Sequence, residues 1–242
     1  MLRRKVYLLI ICFAALCVSV APAGAGLYTF DDWGWVTGVP GGTIMNQLSV
    51  VVTDEGVGAD QVLFTFSNSG AVASSITDIY FDDGALLGIA GIVNGPGVFF
   101  GYPATPGDLP GGSSLYPPFQ TSSVEHPVLS PHFSADSEPG QPGVMTNGVN
   151  PGESVGIVFD LQDGKTFDHV IDAINVGFSP SLYYDGTKWL EDSLRIGVHV
   201  QGIASTDPSG GSQAYILTPA PAAVILGMLG LGAAGLKLRK FV

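Results

Sequence analysis

The stretch Ser154-Val155-Gly156-Ile157-Val158-Phe159-Asp160-Leu161 puts Val155, Ile157, Phe159 and Leu161 on one side of an extended chain, with Ser154, Gly156, Val158 and Asp160 on the other. Successive side chains of a strand point to opposite faces, whereas a helix would scatter these four apolar residues around its circumference. The stretch therefore reads as a half-buried strand. Leu194-Arg195-Ile196-Gly197-Val198-His199-Val200-Gln201 repeats the alternation, and Val62, Phe64 and Phe66 repeat it again ahead of the turn Asn68-Ser69-Gly70. Gln47 to Thr53, Ile76 to Phe81, Val98 to Tyr102 and Gln213 to Leu217 are further strand candidates. Eight to ten short strands broken by Gly, Pro, Asn and Asp predict an all-β protein, a single β-sandwich over residues 26 to 218.

One segment changes period. Phe167, Val170, Ile171 and Ile174 follow the i, i+3, i+4, i+7 spacing of an amphipathic helix, with Thr166 placed to cap it, Asp168 in its first turn and Gly177 to stop it. This one short helix is expected to cover an end or edge of the sandwich. Residues 101 to 150, with nine prolines and seven glycines, show little periodicity and read as long surface loop. Tyr102, Tyr116, Phe119 and Phe133 either give that loop a binding surface or fasten it to the sheet.

Charge divides the 242 residues into three. Arg3, Arg4 and Lys5 precede an apolar run at the start, and Lys237, Arg239 and Lys240 follow another at the end. All twenty-one acids lie between these runs, opposed there by Lys165, Lys188 and Arg195 alone, so the middle carries −18 while the whole chain carries −12. No basic face is left to neutralise phosphates, which excludes a nucleic-acid partner. Charged residues make up 12% of the chain, about half the ~25% usual for soluble domains.

The first run has the layout of a secretory signal peptide over residues 1 to 25. A basic start leads into the apolar helix Val6 to Val20, and small residues at Ala23 and Ala25 suit signal peptidase. Both cysteines, Cys12 and Cys17, fall inside it, so its removal would leave a domain without disulfide, thiolate nucleophile or zinc-cysteine site. In the last 24 residues, Pro219-Ala220-Pro221 precedes the polar-free run Ala222 to Leu236 and then the basic cluster. A helix over that run would be about 22 Å long against a hydrocarbon core of about 30 Å, a minimal transmembrane span. Its trailing bases would stay cytoplasmic and leave the acidic middle outside.

This order of Pro-x-Pro, short apolar helix and terminal bases resembles the PEP-CTERM sorting signal of bacterial surface proteins. The resemblance implies an exosortase-like processing enzyme as partner, acting near Pro219 to Pro221. The family's usual tripeptide has Glu where this chain has Ala220, and a plain C-terminal membrane anchor is the alternative. The middle is also similar to a recurring ectodomain of such proteins, through Ile79-Tyr80-Phe81-Asp82-Asp83-Gly84, Asp108-Leu109-Pro110-Gly111-Gly112, Asn150-Pro151-Gly152-Glu153-Ser154 and Leu194 to Gly202. That likeness implies a secreted β-domain and supplies no catalytic residue.

Chemical motifs are sparse. Gly152-Glu153-Ser154-Val155-Gly156 has nucleophile-elbow spacing, but that motif works on a sharp strand-to-helix turn and here it enters a strand. His126 and His132 lack a third ligand nearby, and His199 is expected to point outward from its strand beside Arg195. The acid pairs Asp31-Asp32, Asp82-Asp83, Asp160 with Asp163, and Glu191-Asp192 could gather structural calcium at strand ends, and no other cofactor is expected. The composite expectation is an exported, non-enzymatic structural or interaction module of the cell surface or exopolysaccharide matrix. Its rivals are a carbohydrate-binding module using Trp33, Trp35, Tyr183, Tyr184 or Trp189 as sugar platforms, and a secreted hydrolase.

Overall fold

A computed structural model describes residues 25–31, 36–37, 44–83, 87–104, 107, 109–112, 119, 133–137, 144–177, 193–203 and 211–219. The strands are β1 (Ala25–Asp31), β2 (Val36–Thr37), β3 (Leu48–Thr53), β4 (Gln61–Asn68), β5 (Ser75–Asp83), β6 (Leu87–Asn94), β7 (Phe100–Gly101), β8 (Phe133–Ser137), β9 (Glu153–Leu161), β10 (Leu194–Ile203) and β11 (Gly211–Pro219). Two helices, α1 (Val144–Asn147) and α2 (Phe167–Gly177), and a 3-10 turn at Met45–Gln47 complete the described elements. The chain is mostly β, as its alternating stretches require.

The strands form one antiparallel sheet in the order β6-β9-β4-β3-β1-β11-β10-β5-β8-β7, with β2 added beside β11. Two separate packed layers were expected, but the hydrogen-bonded ladder runs unbroken because β1 and β11 pair and join what would be the two halves. The halves still face each other. Phe159 of β9 lies 4.8 Å from Phe81 of β5 and 5.1 Å from Phe133 of β8, and Phe64 of β4 lies 5.1 Å from Phe81, all edge-on. Strands distant in the order thus share one aromatic core, so the sheet is curled. Edge-on ring pairs add about 0.5–1.5 kcal/mol each beyond the area they bury. The two ends of the ribbon approach where the Phe100 amide donates to Asn94 Oδ1 at 2.8 Å.

Curling needs local departures from a flat ladder, and β-bulges supply them. The register slips between His199 and Val200 against β5, between Val200 and Ile203 against β11, and between Ile89 and Gly91 against β9. Helix α2 forms over the residues its spacing indicates. Val170, Ala173 and Ile174 enter the core, while Phe167 and Ile171 pack beside it. Its N-terminus is tied by His169 Nδ1, which accepts from the Thr166 amide at 3.0 Å.

The described residues between 101 and 150 include regular elements where loop was expected. They contribute β8 and α1, and they carry Leu109 and Phe119 onto the outer face of the sheet, where these bury against Tyr80 and Ile216. Of the four aromatics considered there, Phe119 and Phe133 are buried, Tyr102 is exposed and Tyr116 lies outside the described residues. Phe119 and Phe133 fasten the segment to the sheet. No helix among the described residues is long and apolar enough to cross a membrane; residues 6–20 and 222–236 fall outside them.

Candidate functional site

The outer face of β5, β10 and β11 carries polar residues that are nonetheless largely shielded from solvent. On β10, Leu194, Ile196, Val198 and Val200 point into the core, so Arg195, Gly197 and His199 project outward. The register sets Arg195 opposite Asp82 and His199 opposite Asp78. Arg195 Nε donates to Asp82 Oδ2 at 2.9 Å, its terminal nitrogen contacts the same oxygen, and its guanidinium lies 5.0 Å from the centre of the Phe119 ring. Within a buried pair of this kind desolvation offsets much of the attraction. The pair also commits Asp82 to a cation of the chain itself.

His199 was expected as an exposed rung. Its side chain is instead 11% exposed and held at both ring nitrogens. Nδ1 lies 2.8 Å from Asp78 Oδ2, and Nε2 lies 2.5 Å from Ser212 Oγ on β11. An ionised carboxylate only accepts, so Asp78 fixes the proton on Nδ1 and leaves the lone pair of Nε2 facing the Ser212 hydroxyl. Asp78, 5% exposed, accepts a second hydrogen bond from Thr77 Oγ1 at 2.7 Å. The expectation failed because alternation tells which face a residue occupies but not what later covers that face.

Both neighbouring bulges shape this chain of bonds. In β5, Thr77 is the extra residue between Ile76 and Asp78, which pair with Val200 and His199. In β10, Gln201 and Gly202 interrupt the ladder opposite Ser212, and Gly202 takes φ +64°, a conformation that suits glycine. Such bulges re-aim side chains that a regular ladder would hold parallel. Asp78 and Ser212 were not legible in the sequence, because Asp78 lies 121 residues from His199 and no local motif joins His199 to Ser212.

The other sequence candidates are dispersed. Ser154 sits near the start of β9 opposite Ser67, and Glu153 beside it accepts from the Asn150 amide at 2.9 Å, so the segment is a turn feeding a strand. Asp160 on β9 is exposed and accepts from Gln61, and Asp163 occupies a turn with φ +50°. Among the described residues no three His, Cys, Asp or Glu side chains converge as a metal would require. A groove of about 320 Å³ lies where Asp54, Asp60, Gln61 and Leu161 meet Lys165 and Asp168 at the start of α2. Trp33, Trp35, Tyr183, Tyr184, Trp189, His126, His132, Asp32, Glu191 and Asp192 fall outside the described residues.

Of the terminal signals, Ala25 opens β1 and Pro219 closes β11, while Ala23, Ala220, Pro221, Lys237, Arg239 and Lys240 fall outside the described residues. Antiparallel pairing sets Tyr28 opposite Pro219, which brings the start of β1 and the end of β11 to the same pole. Comparison with known proteins finds no match to the chain among family models, curated proteins or solved structures.

Proposed function

We propose that this chain is an exported bacterial surface protein whose β-rich domain serves as a structural or interaction module of the envelope or its exopolysaccharide matrix. On this reading signal peptidase removes residues up to Ala23 or Ala25. An exosortase-like enzyme then acts near Pro219 to Pro221 on a precursor held by the helix before Lys237, Arg239 and Lys240. The observation that supports it is the pairing of Tyr28 with Pro219. Both segments read as membrane addresses would leave the domain at one pole, so one membrane surface can hold both without straddling the fold. Cutting after Ala23 or Ala25 leaves β1 its core residues Tyr28 and Phe30, and cutting after Pro219 leaves β11 whole. A charge of −18 on the middle would keep the displayed domain soluble and let divalent cations bridge it to anionic polymer.

Intact-mass analysis of the protein recovered from its native host tests this reading. The expected mass corresponds to a chain starting at residue 24 or 26 and ending between 219 and 221. A mass that retains residues 222 to 242 would replace processing with a simple anchor. One that retains residues 1 to 23 would remove cleavage of the signal peptide.

A further inference from the structure

We propose that Asp78, His199 and Ser212 form a nucleophilic serine site that accepts small neutral carboxylic esters. The roles are assigned atom by atom: the carboxylate on Nδ1 sets the tautomer, and Nε2 faces the hydroxyl that would lose its proton. The three side chains come from three adjacent strands, β5, β10 and β11, so their spacing is held by backbone ladders on both sides of β10. Burial is graded in the sense the chemistry needs. Asp78 is 5% exposed and His199 11%, while Ser212 at the end of the relay is only half-buried. Thr77 donates to the same Asp78 oxygen as the imidazole, so the carboxylate that orients the ring is itself held in place. The acidity of the domain disfavours anionic esters, and the half-buried hydroxyl favours a short acyl group.

The reaction is acyl transfer. Ser212 Oγ attacks the ester carbonyl carbon as its proton passes to His199 Nε2. The bond from that carbon to the alcohol oxygen breaks, and the departing alkoxide takes the proton from Nε2. Water then attacks acyl-Ser212, giving one proton to Nε2, which returns it to Oγ as the carboxylic acid leaves. Ser212 and His199 are the catalytic residues, and Asp78 is a positioning residue acting through the imidazole.

An alkyl fluorophosphonate tests the site on the full chain, because Oγ attack at phosphorus forms an O–P bond, expels fluoride and sends the hydroxyl proton to His199. Peptide mapping should find a single adduct at Ser212, absent from Ser212→Ala. Asp78→Asn and His199→Gln should slow its formation at least about 100-fold, and Asp78→Glu should recover part of the rate. If those variants fail to fold, Ser212→Cys supplies the second measurement: its thiol should alkylate with iodoacetamide at least about tenfold faster than the thiol of a short peptide. Three results would overturn the proposal: folded protein that gives no adduct at Ser212, an adduct formed as fast in His199→Gln as in the parent, or a thiol in Ser212→Cys that reacts no faster than the peptide. None of these readouts depends on how the termini are processed, so failure here leaves the export reading standing.

Discussion

Asn68 shows how much of this fold rests on single polar residues inside it. Fully buried at the end of β4, it donates through Nδ2 to the Ser74 and Val149 carbonyls and accepts from Gln47 Nε2 at 2.9 Å. Asn68→Ala would strand several shielded groups at once, so a loss of about 3 kcal/mol is expected in urea unfolding, against near neutrality for an exposed residue such as Asp54. Arg195→Ala should cost about 3–5 kcal/mol because Asp82 stays buried without the guanidinium, while Arg195→Met, which keeps contact with Phe119, should cost less. Burial raises the Tyr28 phenol above its ordinary pKa. The folded state then holds its proton more tightly than the unfolded chain, so this share of stability is intact below about pH 10 and is lost as pH rises through the folded value. Thermal melts between pH 9 and 11.5 should show a smaller alkaline decline in Tyr28→Phe than in the parent. These partners were not legible beforehand. Asn68 read as the first residue of a turn, and nothing local links it to Gln47 or Val149.

Elements were legible where residue types alternate over at least three apolar positions, whether or not the polar face is later covered, as it is on β10. β9, β10, β4 and α2 carry clean periods, and they form within a residue or two of the expected bounds. β8 was lost among prolines because its alternation, Phe133 and Ala135 against Ser134 and Asp136, spans only two apolar positions, one of them an alanine, too short to mark a strand. β6 was lost because its bulge between Ile89 and Gly91 breaks the period of two. Leu109, Gly112 and Phe119 are joined by a clasp instead of a period: the Gly112 amide donates to the Leu109 carbonyl at 2.8 Å and the Phe119 amide to the Gly112 carbonyl at 2.9 Å. A Cβ on Gly112 would run into the Phe119 carbonyl oxygen, a backbone atom that cannot swing aside. Gly112→Ala should therefore open the clasp and cost about 1–3 kcal/mol. Limited proteolysis should then cut between residues 101 and 132 faster than in the parent, and equal cutting would show that the clasp is not what holds Phe119 down.

At the scale of the molecule, the position of β11 in the sheet decides what a cut near the C-terminus does. It is the last described strand in sequence yet lies in the middle of the order, between β1 and β10, and it sends Tyr215 and Leu217 into the core. Its partners come from opposite ends of the chain, so the ladder that joins the two halves of the curled sheet closes only after nearly all the rest has been made. Long-range pairing of this kind folds slowly, because loop-closure entropy is spent before contacts compensate it. A chain ending at Pro219 keeps every pairing of β11, whereas one ending at residue 210 exposes the facing edges of β1 and β10 together with the core behind them. The expected outcome is that the 26–219 chain melts cooperatively while the 26–210 chain shows no cooperative transition and aggregates. Urea unfolding followed by circular dichroism would check this, and a cooperative 26–210 chain would mean that the two halves are stable without the strand that joins them. The same placement gives the proposed sorting tail a mechanical consequence. Processing beyond Pro219 leaves the sheet intact, but a cut only a few residues earlier would remove Leu217 and the Tyr28 pairing, so the fold itself sets the inner limit at which a processing enzyme can act without destroying what it displays.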